Sequence, residues 1–293
     1  MAVSAHVSDL IKPGIAAFIA AALAYPAPAH AAGPRGVMSL NVCTDQLVLS
    51  LAEPADIVSL SELSVDPTLS FMAGEAASYP KNAGLAEEVL AARPSVVVTG
   101  TYSLHNTTAL LSGLGTRVEE FPYQQSIDTI PADIRRMGTI LGKEDEAEAL
   151  ARDFEAELAT ARADLGGVHP RAIVFGPNGV VAGAGTLQHT VLEAAGFRNL
   201  AAERGMTGMA PYPLELLVAD RPDLVLLSAP MTDAPALADR IARHPAIAAS
   251  GAALPSGAIP AGSWDCGGPF TLEALRALRS IRDGLLAEDQ PSK

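Results

Sequence analysis

The sequence predicts an α/β protein: two α/β lobes with mostly parallel sheets, joined by a single long backbone α-helix. Three observations predict it. Short apolar runs alternate with short helical segments from residue 36 to 121. The alternation then stops for two successive helical stretches, and it restarts after Pro170. The chain accordingly divides into an N-terminal lobe at 36–126, connecting helices at 127–166 with a rigid backbone helix at 143–165, and a C-terminal lobe at 170–290.

Residues 1–31 read as a signal peptide. Lys12 precedes an uncharged apolar run of 11 residues, Gly14 to Ala24, too short to span a bilayer. Ala29-His30-Ala31 supplies small residues at the cleavage positions. Cys43 lacks the small residue before it that a lipoprotein cysteine needs, so the expectation is a soluble periplasmic protein without a lipid anchor.

Gly36–Asn41 is expected as a buried strand running into a helix over Thr44–Leu51, with Thr44 as its N-cap. Ile57–Leu60 is a second strand, and residues 85–93 form a helix that Arg93-Pro94 ends, because a residue before proline disfavours the α region. Strand Val96–Thr99, helix Thr107–Leu114 and strand Arg117–Phe121 complete the first lobe. Ile127–Leu141 is a helix closed by Gly142. Residues 143–165 then place Ala147, Leu150, Phe154, Leu158, Ala161 and Leu165 on one stripe at three- and four-residue spacing, a helix of roughly 35 Å. Beyond Pro170 come strands Ala172–Phe175 and Val180–Ala182, helices Leu187–Ala195 and Leu214–Asp220, strand Leu224–Leu227 and helix Thr271–Leu286.

Composition narrows the function. The 20 Lys plus Arg face 33 Asp plus Glu, a net charge of -13, so the basic footprint that nucleic-acid binding requires is missing. Zinc needs several convergent histidines or carboxylates, and the histidines here are scattered; no metal site is expected. No Walker loop, nucleophile elbow or HExxH is present, and in Gly183-Ala184-Gly185 the third glycine of a dinucleotide loop is replaced by Gln188.

One unit occurs twice. Glu87-Glu88-Val89-Leu90-Ala91-Ala92-Arg93-Pro94 is echoed by Glu215-Leu216-Leu217-Val218-Ala219-Asp220-Arg221-Pro222, each followed by a buried strand. Each copy carries a glutamate seven residues before its proline. With this repeat, the single connecting helix and the Trp264 loop before the last helix, the chain resembles periplasmic substrate-binding proteins of the helical-backbone type. That family serves ABC importers of vitamin B12, ferric siderophores, haem or bare metals. The resemblance spans residues 36–286 and implies that Glu87 and Glu215 dock into arginine pockets of a permease dimer in the inner membrane. First-turn glutamates also suit a helix dipole without any partner.

The resemblance further implies a ligand held between the lobes, at loops after the carboxyl ends of strands. The residues expected to line it are Cys43, Thr44, Tyr102, Tyr123, Trp264, Asp265 and Cys266. Aromatics make up only 4% of the chain, so three in these loops point to a flat or bulky guest. Scarce Arg and Lys in the same loops favour a near-neutral chelate of cobalt or iron, a corrinoid or a ferric hydroxamate-type siderophore, with haem as the alternative. The expectation is a monomer without a resident cofactor. Cys43 and Cys266 allow three readings: separate buried thiols, an inter-lobe disulfide, or soft ligands to a metal. A second class of function is also open, an exported enzyme with a cleft cysteine and His105 or His189 as base.

Overall fold

The computed structural model describes residues 36–102, 104–122, 126–163, 165–228, 244–250 and 252–288, so residues 1–31 and Tyr123 lie outside the described part. The first lobe runs β1 (Val37–Ser39), α1 (Val42–Leu51), β2 (Ile57–Ser61), α2 (Ala73–Ala76), β3 (Lys81–Asn82), α3 (Ala86–Ala92), β4 (Val96–Gly100), α4 (His105–Gly113) and β5 (Val118–Phe121). Its sheet has the order β3-β2-β1-β4-β5 and every pairing is parallel. The central strands explain why. Val37, Met38 and Val96 to Val98 are buried on both sheet faces, as an unbroken apolar run requires of a parallel strand.

The expected start of α1 needs correction. Asn41, not Thr44, is the N-cap: its Oδ1 accepts the Cys43 N–H at 2.9 Å. Thr44 lies inside the first turn, where its hydroxyl donates to the Asn41 carbonyl at 3.0 Å and bonds the Ser39 hydroxyl at 2.8 Å. The asparagine side chain, two residues before Cys43, reaches the free N–H groups first.

The connection is α5 (Ile130–Leu141) and α6 (Glu144–Ala163). Gly142, with φ +69°, turns the chain between them. Gly138 lets the two helices touch: a Cβ there would stand 2.2 Å from that of Ala147. At 20 residues α6 is about 30 Å long, slightly shorter than the spacing predicts. It is tied on both sides. Arg135 of α5 bonds Glu148 at 2.6 Å and Glu155 at 2.7 Å, and Arg276 of the last helix bonds Glu157 at 2.6 Å. Exposed pairs of this kind add little, because solvent screens them. Apolar burial contributes more. Phe154 and Leu158 belong to one continuous core with Leu47 and Ile134 on one side and Val174 and Leu278 on the other.

The second lobe contains β6 (Arg171–Phe175), β7 (Val180–Ala182), α7 (Leu187–Ala194), β8 (Arg198–Asn199), α8 (Leu200–Glu203), β9 (Met209–Pro211), α9 (Leu214–Asp220), β10 (Leu224–Leu227), α10 (Pro245–Ser250), β11 (Ala252–Leu254) and α11 (Thr271–Glu288). Its sheet order is β11-β10-β6-β7-β9, with β8 also against β6. The β11-β10-β6 and β6-β8 pairings are parallel, whereas β7 joins β6 and β9 antiparallel, because the tight Gly176–Gly179 turn reverses the chain.

Candidate functional site

The carboxyl ends of β1, β4 and β5 face loops of the second lobe across a cleft with two adjoining chambers. The smaller, about 200 Å³, is walled by the first turn of α1, Gly100, Tyr102, Phe121 and the Cys43–Cys266 pair. The larger, about 570 Å³, is walled mainly by the second lobe: Val174, Val180, Leu226, Leu227, Ile259 and Trp264. Leu69 and Asp265 border both. Sequence reasoning missed Leu69, Gln188, Met209 and Ile259, which carry no local signal beyond being ordinary loop, helix-start or strand-end residues.

Each expected lining residue has a definite place except Tyr123. Thr44 is buried but borders the small chamber, and Tyr102, at 70% exposure, stands on its rim. Trp264 is buried to 9% exposure and borders the large chamber. Asp265 is exposed to the cleft, but the chamber walls crowd its carboxylate and take some of its water. That desolvation pushes its pKa above the usual carboxylate range, and a hydrogen bond from Gln188 Nε2 at 3.4 Å draws it partly back.

Cys43 and Cys266 form a disulfide across the lobes, their Cα atoms 5.0 Å apart. Of the three sequence readings this is the inter-lobe bridge. It removes both thiols as nucleophiles or metal ligands in this state. The histidines offer no replacement: His105 is an exposed residue at the start of α4, and His189 bonds Asn199 at 3.3 Å, while neither borders a chamber. Among the described residues, no cluster of His, Cys, Asp and Glu could hold a metal ion.

The chamber walls contain no Arg, Lys or His among the described residues, and Asp265 is the one carboxylate. Donors come instead from Asn41, Thr44, Thr68, Gln188 and Ser228, with the positive end of α1 aimed at the small chamber. Such a surface fits a large guest that is apolar on its faces and uncharged but polar at its edges.

The outer tips are built alike. Glu87 and Glu215 are exposed and each is the second residue of a seven-residue helix, α3 or α9. Each helix ends on an arginine in the left-handed region, Arg93 at φ 50° and Arg221 at φ 48°, before the proline. Leu90 and Val218, three residues after each glutamate, are exposed as well.

The sequence profile of the periplasmic binding protein family matches residues 37–256. A cobalamin-binding protein of Halobacterium salinarum is 28% identical over 212 residues, covering 70% of this chain and 57% of that relative, so the match spans little more than half of the relative's length. Among solved structures, the haem-binding protein RhuT of Roseiflexus in apo form superposes with a TM-score of 0.67 at 21% identity, covering 88% of this chain and all 100% of that one. A periplasmic haem-binding protein of Pseudomonas aeruginosa gives 0.67 at 22% identity, covering 89% and 95%. At these identities the solved structures establish the fold.

Proposed function

Since the chain belongs to the periplasmic binding protein family, whose members bind rather than transform their ligands, we propose that it captures a corrinoid in the inter-lobe cleft and delivers it to an ABC permease. The observation that carries the ligand class is the charge of the walls. Haem presents two carboxylates and anionic siderophores present more; walls that hold Asp265 and show no cation among the described residues disfavour both. A corrinoid offers apolar ring faces for Trp264 and Ile259, and a rim of primary amides. Those amides can donate to Asp265 and accept from Gln188, Asn41 and the α1 N–H groups. The cobalamin-binding relative supports the same choice.

Delivery rests on Glu87 and Glu215. Two exposed carboxylates on matching helices offer a permease dimer two equivalent charge contacts, each beside an exposed apolar residue, Leu90 or Val218. Export through removal of residues 1–31 belongs to the same proposal, as does a monomeric state.

Equilibrium dialysis and calorimetry of the purified chain with cyanocobalamin, haem and a ferric hydroxamate test the reading. One-to-one binding of cyanocobalamin at micromolar affinity or tighter, with haem weaker, is expected. Tighter haem binding with no uptake of cyanocobalamin would overturn it.

A further inference from the structure

The cleft carries a second covalent connection between its lobes. All described strands of the first sheet precede α5 and all those of the second follow α6, so the described chain crosses between the sheets once. The Cys43–Cys266 bond, between residues 223 positions apart, crosses a second time. Two bodies joined at one place can swing about several axes; joined at two, they turn only about the line through both.

The surroundings of the bond form a seam. Gly262 adopts φ +70° with its Cα so close to the other lobe that a Cβ would stand 2.4 Å from the Phe71 nitrogen. The Phe71 ring stacks on Phe270 with centroids 5.9 Å apart. Gln46, one turn beyond Cys43 on α1, accepts the Phe71 N–H at 2.8 Å. The seam therefore joins α1, the 69–71 segment and the 262–270 loop at the place where both chambers share Leu69 and Asp265. Reagents can reach it. Cys43 is only half-buried and borders the small chamber, whereas Cys266 is buried.

We propose that the Cys43–Cys266 disulfide is a redox-operated clasp on the cleft: intact it slows the exchange of the guest, and cut by a dithiol it lets the lobes part. A dithiol thiolate attacks the accessible Cys43 sulfur and forms a mixed disulfide, and Cys266 leaves as a thiolate that takes a proton from cleft water. The second thiol of the reagent then attacks the mixed disulfide, releasing Cys43. Two electrons and two protons pass from the dithiol to the protein pair, and the reagent leaves as its own disulfide. The reaction needs no resident cofactor.

The clasp rests on the cleft being the ligand site, and its test keeps the two apart. Full-length exported chain, oxidised or treated with dithiothreitol, is followed by hydrogen exchange without ligand and by release of cyanocobalamin and haem into a competitor. Reduction is expected to speed exchange at Phe71 and the 262–266 amides, and to raise the release rate of whichever chelate binds by about tenfold or more. Cys43→Ser/Cys266→Ser should reproduce the reduced behaviour and respond to dithiothreitol no further. Equal release and equal seam protection in both redox states would overturn the clasp. Global unfolding on reduction, monitored by circular dichroism, would also overturn it and make the bond a fold staple. Should neither chelate bind, the ligand assignment fails, and seam exchange alone decides whether the bond restrains the lobes.

Discussion

The two lobes share one surface unit and differ in the walls they turn to the cleft. Outside, α3 and α9 share length, glutamate position, left-handed arginine and following strand. Inside, the first lobe offers the α1 N-terminus, Asn41 and Thr44, while the second offers Val174, Leu226, Ile259 and Trp264. The sheets also differ, wholly parallel in one and ending in the antiparallel pairings β6-β7 and β7-β9 in the other. Paired tips suit a partner with two equivalent halves, whereas unlike walls suit a guest with apolar faces and a polar rim.

The sharpest break of the outer likeness is charge reversal. Glu87→Arg with Glu215→Arg should lower transport in reconstituted vesicles more than about a hundredfold with ligand affinity unchanged. The two single variants should fall by similar factors; a large gap between them would mean that the tips are not equivalent. Next in size, Cys43→Ser/Cys266→Ser should cost about 2–5 kcal/mol of stability by denaturant titration, since the bond closes a very long loop in the unfolded chain.

The inner difference is probed by one substitution per lobe. Leu227→Asp puts a carboxylate on the apolar wall and should weaken cyanocobalamin binding by about 10- to 100-fold, or roughly 1.4–2.8 kcal/mol. Gly100→Ala adds a methyl in ordinary contact with Asn41, 3.4 Å away, and should change affinity less than about threefold. Calorimetric titration of both variants checks the contrast.

A pH effect on stability is expected from Asp45 in the first lobe. Burial lifts the Asp45 pKa from 3.8 to about 6, against hydrogen bonds from Ser39 and Ser61 that favour its charged form. Between those values the folded chain holds a proton that the unfolded chain has lost. Stability should therefore fall as pH rises from about 4 to about 6, by up to about 3 kcal/mol, and level off above. Asp45→Asn should flatten that slope in thermal melts.

Most regular elements were legible in the sequence because their signals are local. Leu214–Asp220 and Leu224–Leu227 have the boundaries that the Arg221-Pro222 stop and the apolar run predict. The shift from Thr44 to Asn41 at the head of α1 was not, since both residue types cap helices and only the backbone geometry chooses. The short strands Lys81–Asn82 and Arg198–Asn199 carry no periodicity and exist only because a neighbouring strand supplies hydrogen bonds. For the site, the loops that hold Tyr102, Trp264 and Asp265 followed from the rule that ligands gather at strand ends, while Leu69 and Met209 did not.

By itself the sequence determined the alternation of strands and helices, the break at the connecting helices and the duplicated glutamate units, because each depends on residues within a turn or a strand of one another. Tertiary structure alone decided that Cys43 meets Cys266, that one core runs through both lobes, and that the cleft walls lack cations among the described residues. Those facts depend on where loops far apart in the chain come to rest, and spacing along a chain does not encode distance across a cleft.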